Sequence, residues 1–166
     1  MERWQELDSA APADALATLS ECCGSSRWAG RMLARRPFGS REALLKSAQE
    51  EWWALAPDDW LEAFSHHPMI GDRASLAARF PATHHRSARE QAGVGEAAED
   101  VLTALADANH HYVDRFGFIF IVCATGKTAN EMLELLRARL PNDRDTELRV
   151  AAEEQSRITE LRLDAP

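Results

Sequence analysis

Cysteine is scarce in this chain, and the few present form no pattern. The three, Cys22, Cys23 and Cys123, are odd in number and lack C-x-x-C spacing. That excludes a disulfide framework and gives no sign of structural zinc, so reduced, mostly buried thiols are expected. Long apolar runs are missing as well: no stretch approaches the roughly 18 residues of a membrane span. Residues 1–5 have neither the basic start nor the apolar core of a signal peptide. The expectation is a soluble, cytoplasmic protein. Positive charge is in short supply, with 19 Lys and Arg against 27 Asp and Glu for a net charge of −8. Such a chain repels phosphate backbones and anionic lipid, so neither nucleic acid nor membrane is expected as a partner. An anionic substrate would need a local cluster of cations. Repeats, low-complexity tracts and linkers are also absent. What remains is 166 residues, 45% of them apolar, enough for one domain spanning 1–166 with its own core.

Helical punctuation dominates the chain. Pro12 opens a segment with Leu16, Leu19 and Cys23 at helical spacing, stopped by Gly24. A short helix is predicted over 28–34. Ser40 caps a third that carries Leu44, Leu45, Ala48, Trp52 and Leu55 on one face. Pro57-Asp58-Asp59 ends that helix and opens the next, which runs through Trp60, Leu61 and Phe64. Residues 71–86 read mostly as loop, with one turn around 76–80. A helix is predicted over 96–111. The run Phe118-Ile119-Phe120-Ile121-Val122 resembles a buried strand, but no second strand exists to pair with it, so a buried helical or irregular segment is expected. Thr128 with Glu131 forms a capping box before a helix that Pro141 terminates. The last helix begins near Asp145 and carries Leu148, Ala152, Gln155, Ile158 and Leu161. The fold class is all-α, one compact domain of about seven or eight helices without significant sheet.

Candidate chemistry begins at His67. Pro68 forces the preceding helix to end near His66, leaving His67 at a helix C-terminus, where the partial negative charge favours a protonated imidazole. Such a ring suits proton transfer, although a plain capping histidine has the same sequence. Ser87-x-x-Glu90 reads equally as a capping box or as a polar site, with Gln91 adding an amide and Ala92-Gly93 leaving room for a ligand. Asn109, Tyr112 and Arg115 form a polar stripe of the kind that is usually solvated or half-buried. Arg162 borders an apolar helix face and is placed to anchor carboxylate or carbonyl oxygens, or to act only as a dipole partner. The adjacent pairs His66-His67, His84-His85 and His110-His111 cannot chelate, because neighbours on a helix point apart, so no metal is expected. Gly126-Lys127-Thr128 resembles the end of a phosphate loop, but Ile121 stands where that loop requires glycine. Its nucleotide-binding reading and a non-enzymatic helical interaction module are the alternatives to an enzyme.

Taken together, four blocks resemble the 2-oxo-4-hydroxy-4-carboxy-5-ureidoimidazoline (OHCU) decarboxylase family. They are His67-Pro68-x-Ile70-Gly71-Asp72, Ser87-x-x-Glu90-Gln91-Ala92-Gly93, Asn109-x-x-Tyr112-x-x-Arg115-Phe116-Gly117-Phe118 and Arg157-Ile158-x-x-x-Arg162-Leu163. The resemblance implies an all-α, cofactor-free, often dimeric enzyme of urate degradation that converts OHCU to (S)-allantoin with loss of carbon dioxide. It also implies roles. His67 would be the acid/base and Glu90 its catalytic companion on the substrate, with Pro68 a pocket wall. Ser87 and Gln91 would be polar contacts and Arg162 an anchor. Backbone from Ile121 through Val122 to Ala124 would line the same pocket. Ile119 departs from the proline common after Gly-Phe in relatives, and Arg157 from their lysine.

Overall fold

The structure, a computed structural model, describes residues 1–68 and 88–165, without the side chains of residues 88–98. The expected loop over 71–86, and Ile70, Gly71 and Asp72 of the histidine block, lie outside the described residues. Among the described residues there are eight helices and no strand. They are α1 (Arg3–Ser9), α2 (Pro12–Cys22), α3 (Ser26–Ala34), α4 (Arg41–Trp53), α5 (Pro57–Ser65), α6 (Ala88–Phe116), α7 (Ala129–Arg139) and α8 (Arg144–Asp164). The chain is therefore all-α, and no helix among the described residues is long and apolar enough to cross a membrane.

Local rules account for most boundaries. Pro12 and Pro57 occupy the first positions of α2 and α5, where a missing N–H costs nothing. Ser40 accepts from the Ala43 amide at 3.1 Å, and Thr128 from the Glu131 amide at 3.1 Å, so both predicted caps form. Gly117, at φ 79°, ends α6 by donating to Val113 O at 2.8 Å, a left-handed geometry that disfavours side chains. The helix α1 is an addition to the sequence reading. It is seven residues long and buries only Leu7, too little for a periodic signal. Helix α6 extends five residues beyond the predicted end at His111.

Cα packing groups the residues into two units, 1–67 with 148–166, and 68–147. In the first, Leu7, Leu19, Trp28, Met32, Leu44, Trp52 and Phe64 are buried. Each such side chain contributes about 1.5–3 kcal/mol by leaving water. Indole N–H groups are satisfied inside it: Trp28 donates to Ala48 O at 3.1 Å, Trp52 to Ala152 O at 2.9 Å and Trp60 to Trp52 O at 3.1 Å. In the second unit α6 packs on α7 around Leu105, Tyr112, Phe116, Met132, Leu133 and Leu136.

Two expectations need correction. The inner face of α8 runs Leu148, Ala151, Ala152, Gln155, Thr159 and Leu163, whereas Ile158 is half-buried and Leu161 is 48% exposed. Four-residue steps from Gln155 stay on one stripe of a 3.6-residue helix, and the three-residue steps through Ile158 and Leu161 drift off it. The stripe of Asn109, Tyr112 and Arg115 is not a solvated face. Asn109 and Tyr112 are buried and only Arg115 is exposed, because α6 turns the first two residues toward its own unit's core.

Candidate functional site

His67 is placed by the end of α5. The helix stops at Ser65, His66 keeps helical dihedrals as its cap, and the His67 amide donates to Phe64 O at 3.2 Å. Pro68, exposed, cannot continue the helix. Two contacts tie this end to neighbouring elements. The Glu62 carboxylate accepts from the Ser26 amide at 2.6 Å and from its hydroxyl at 3.0 Å, fastening α5 to the start of α3. Gly24 touches His66 so closely that a Cβ there would stand 2.6 Å from His66 Cβ and Cγ. Only glycine permits that approach.

The His67 ring is half-buried, and its Nε2 lies 2.5 Å from Gln155 Oε1. Gln155 is fully buried, and its Nε2 donates to Thr159 Oγ1 at 3.1 Å. Thr159 in turn hydrogen-bonds the Cys23 thiol, whose pKa is pushed up to about 11, chiefly by burial. The thiol is therefore a neutral packing group. Further along the same helix, Arg162 donates from Nη1 to Cys22 O at 3.2 Å, at the C-terminal end of α2. That bond occupies one of the five guanidinium N–H groups, and among the described residues Cys22 O is the acceptor they find. Arg162 is thus both a dipole partner of α2 and a cation with donors to spare. Positions 155, 159 and 162 follow each other at helical spacing, so α8 carries the amide, the hydroxyl and the guanidinium on one side.

In the second unit, residues 118–124 are irregular, which decides between the buried helical and the irregular segment that the lack of a partner strand left open. Ile121, Val122 and Cys123 are buried, and Ala124 is half-buried. Three of their four carbonyls are held: Ile121 O accepts from Arg139 Nη1 at 2.7 Å, Cys123 O from Lys127 Nζ at 2.7 Å, and Ala124 O from the Lys127 amide at 3.1 Å. The amides of Ile121 to Ala124 meet no acceptor among the described residues. Backbone N–H groups of this kind can donate to oxygen of a ligand or of water. Arg139 is fixed by Glu147, whose Oε1 also accepts from Tyr112 OH at 2.5 Å and whose Oε2 accepts from Asn142 Nδ2 at 3.0 Å. Burial first, and then the bond to Glu147, keep the Tyr112 phenol protonated. Lys127 and Thr128 are committed to a turn and a helix cap, so Gly126-Lys127-Thr128 is not a phosphate cradle.

Of the predicted residues, His67 and Arg162 share the first unit, whereas Ile121, Val122 and Ala124 belong to the second. Glu90 and Gln91 lie in the first turn of α6, but their side chains, and Ser87 entirely, are outside the described residues. Gln155, Thr159, Arg139 and Glu147 were not singled out by sequence. Gln155 carried a signal, a polar residue within an otherwise apolar stripe; Arg139 and Glu147, on different helices, carried none.

A family model described as OHCU decarboxylase matches residues 8–164. The chain is 40% identical over 143 residues to the uric acid degradation bifunctional protein TTL of Arabidopsis thaliana, covering 86% of this chain and 44% of that protein. It is 32% identical over 166 residues to the uric acid degradation bifunctional protein PucL of Bacillus subtilis, covering 98% of this chain and 32% of that protein. The chain thus spans less than half the length of these two relatives. A crystal structure of OHCU decarboxylase in the presence of (S)-allantoin superposes with a TM-score of 0.70 at 40% identity, covering 87% of this chain and 92% of that one.

Proposed function

This chain belongs to the OHCU decarboxylase family, and on that footing we propose that residues 1–166 act as one domain that converts OHCU to (S)-allantoin and carbon dioxide in urate degradation. The observation that carries the reading is the placement of His67, fixed at a helix end with Nε2 on the buried amide of Gln155 and with Arg162 further along the same helix.

Decarboxylation needs an acceptor for the electron pair of the breaking C–C bond, and the conjugated C=N/C=O system of the imidazoline supplies one. The protein's task is to position the substrate and manage one proton. In this reading Arg162 and Gln91 hold substrate oxygens and Glu90 accepts from its hydroxyl or ureido N–H groups. Ser87 adds a polar contact, Pro68 walls the pocket, and the amides from Ile121 through Val122 to Ala124 face ligand oxygen. As carbon dioxide leaves, His67 gives a proton to one face of the carbon. A homodimer in the cytoplasm completes the proposal, and light scattering of the purified protein checks the assembly.

OHCU also decays without enzyme to racemic product, so enantiomeric excess is the decisive readout. Fresh OHCU is mixed with protein and the circular dichroism of the allantoin followed. His67→Asn is expected to abolish the rate enhancement and leave racemic product. Wild-type rate and stereoselectivity in that variant would overturn the assignment.

A further inference from the structure

A run of backbone outside helix and sheet has no ladder to orient its peptide planes, so side chains must orient them. Around residues 118–124 three cationic side chains do so. Arg144 Nε donates to Phe116 O at 3.2 Å just ahead of the run, Arg139 Nη1 to Ile121 O at 2.7 Å within it, and Lys127 Nζ to Cys123 O at 2.7 Å near its end. Arg144 is exposed and Lys127 half-buried, so water competes for both. Arg139 is buried, and its guanidinium lies 4.5 Å from the centre of the Phe120 ring. It is also aligned. Arg139 ends α7, and Glu147 in the first turn of α8 accepts from its Nε and Nη2 through Oε1, both at 2.5 Å. A guanidinium is planar and rigid, so two nitrogens held on one carboxylate fix the direction in which the third donates. That third nitrogen is Nη1.

The peptide group is planar and trans, so its C=O and N–H point in opposite directions. Turning the Ile121 carbonyl to Arg139 therefore turns the Val122 N–H, in the same peptide plane, away from Arg139 and Glu147. We propose that Arg139, aligned by Glu147, is a positioning residue: by holding the Ile121 carbonyl it aims the Val122 amide at an oxygen of the bound substrate. The inference deepens the decarboxylase reading and rests on it for the identity of that substrate. Arg139 itself touches no reacting atom. The contact it sets up is a binding one, made alike before and during loss of carbon dioxide, so its removal is felt as weaker binding and not as slower chemistry. A role confined to stability has the opposite signature, because fewer folded molecules lower kcat at an unchanged KM.

The test uses the full chain. The dipeptide Ile-Val occurs once in the sequence, at 121–122, so protein made with ¹³C-carbonyl isoleucine and ¹⁵N-valine gives a single carbonyl–amide cross-peak, from Ile121 and Val122. In the wild type that peak should move when (S)-allantoin is added at concentrations that inhibit turnover. Arg139→Met/Glu147→Leu removes the donor without stranding a charge. Its ligand-free peak should be displaced, and KM for OHCU should rise about 3- to 10-fold, the worth of one hydrogen bond, with kcat per folded molecule little changed. Arg139→Lys, which keeps a charge beside Glu147 but lacks the planar fork, should raise KM in the same way whether or not the double variant folds. Asn142→Ala removes the bond to Glu147 Oε2 and leaves Oε1 to Arg139, so it should lower Tm but not move KM. A wild-type KM in both Arg139 variants would overturn the inference. So would a peak that ignores the product, or a KM raised as far in Asn142→Ala. Failure of the decarboxylase reading looks different, since the wild type itself then shows no OHCU turnover.

Discussion

Replacing Glu147 with alanine should destabilise the protein more than removal of any exposed charge. The carboxylate is fully buried, and it accepts from Tyr112 OH and Arg139 Nε at 2.5 Å and from Asn142 Nδ2 at 3.0 Å. Arg139, 8% exposed, also stands 4.5 Å from the centre of the Phe120 ring, away from water. Deleting one partner of such a pair strands the other, at a cost of about 3–5 kcal/mol. The orphaned phenol and amide do not add their full worth, because all three donors share one acceptor group. For a chain of this length each kcal/mol corresponds to about 2–4 °C, so Tm should drop by roughly 6–20 °C. Thermal melts followed by far-ultraviolet circular dichroism at neutral pH measure it. Glu147→Gln keeps an acceptor and should lose less. The double variant Arg139→Met/Glu147→Leu removes both charges and should recover part of the loss, but not all, because Ile121 O then loses its donor. A melt of Glu147→Ala within about 2 °C of wild type would refute the account.

Gly24→Ala drives a Cβ into the His66 Cβ and Cγ, 2.6 Å away. A stability loss of about 1–3 kcal/mol in urea denaturation, with reduced enantiomeric excess of product, is expected as His67 shifts with its neighbour. Cys23, with its thiol pushed up to about 11, should resist alkylation near pH 8 in native protein and react fully in denaturant, as mass spectrometry will show. Glu51 is buried between Arg31 and Arg35; burial raises its pKa, but the bonds from both guanidinium groups outweigh that and hold it below the usual carboxylate value. A pKa lowered by folding contributes stability above the unfolded value and loses it as pH falls below about 4.3. Urea midpoints measured from neutral pH downward should therefore fall more steeply for wild type than for Glu51→Gln.

Features set by neighbours in sequence were legible in advance. Pro12, Pro57, Ser40 and Thr128 act through φ restriction and caps that tertiary context left untouched. For the strand-like run after Gly117 elimination removed only the strand and left helical or irregular backbone open, since its residue types fit either state. Polarity misled where the partner was distant in sequence. Tyr112 looks like part of a wet stripe until Glu147, 35 residues away, is seen to take its donor. For the site, His67 and Arg162 could be proposed from Pro68 and from helical spacing. Gln155 could not be paired with His67, because 88 residues separate them and no periodicity links the end of one helix to the middle of another.

All five tryptophans, at positions 4, 28, 52, 53 and 60, fall in the first unit, and the single tyrosine falls in the second. Indole emission is consequently an observer of one part of the polypeptide only. If the emission trace and the helix signal superpose through an unfolding transition, the two parts melt as a single cooperative body. Should Glu147→Ala separate the traces, helix signal fading while emission holds, the order of collapse can be read in the cuvette without adding any probe.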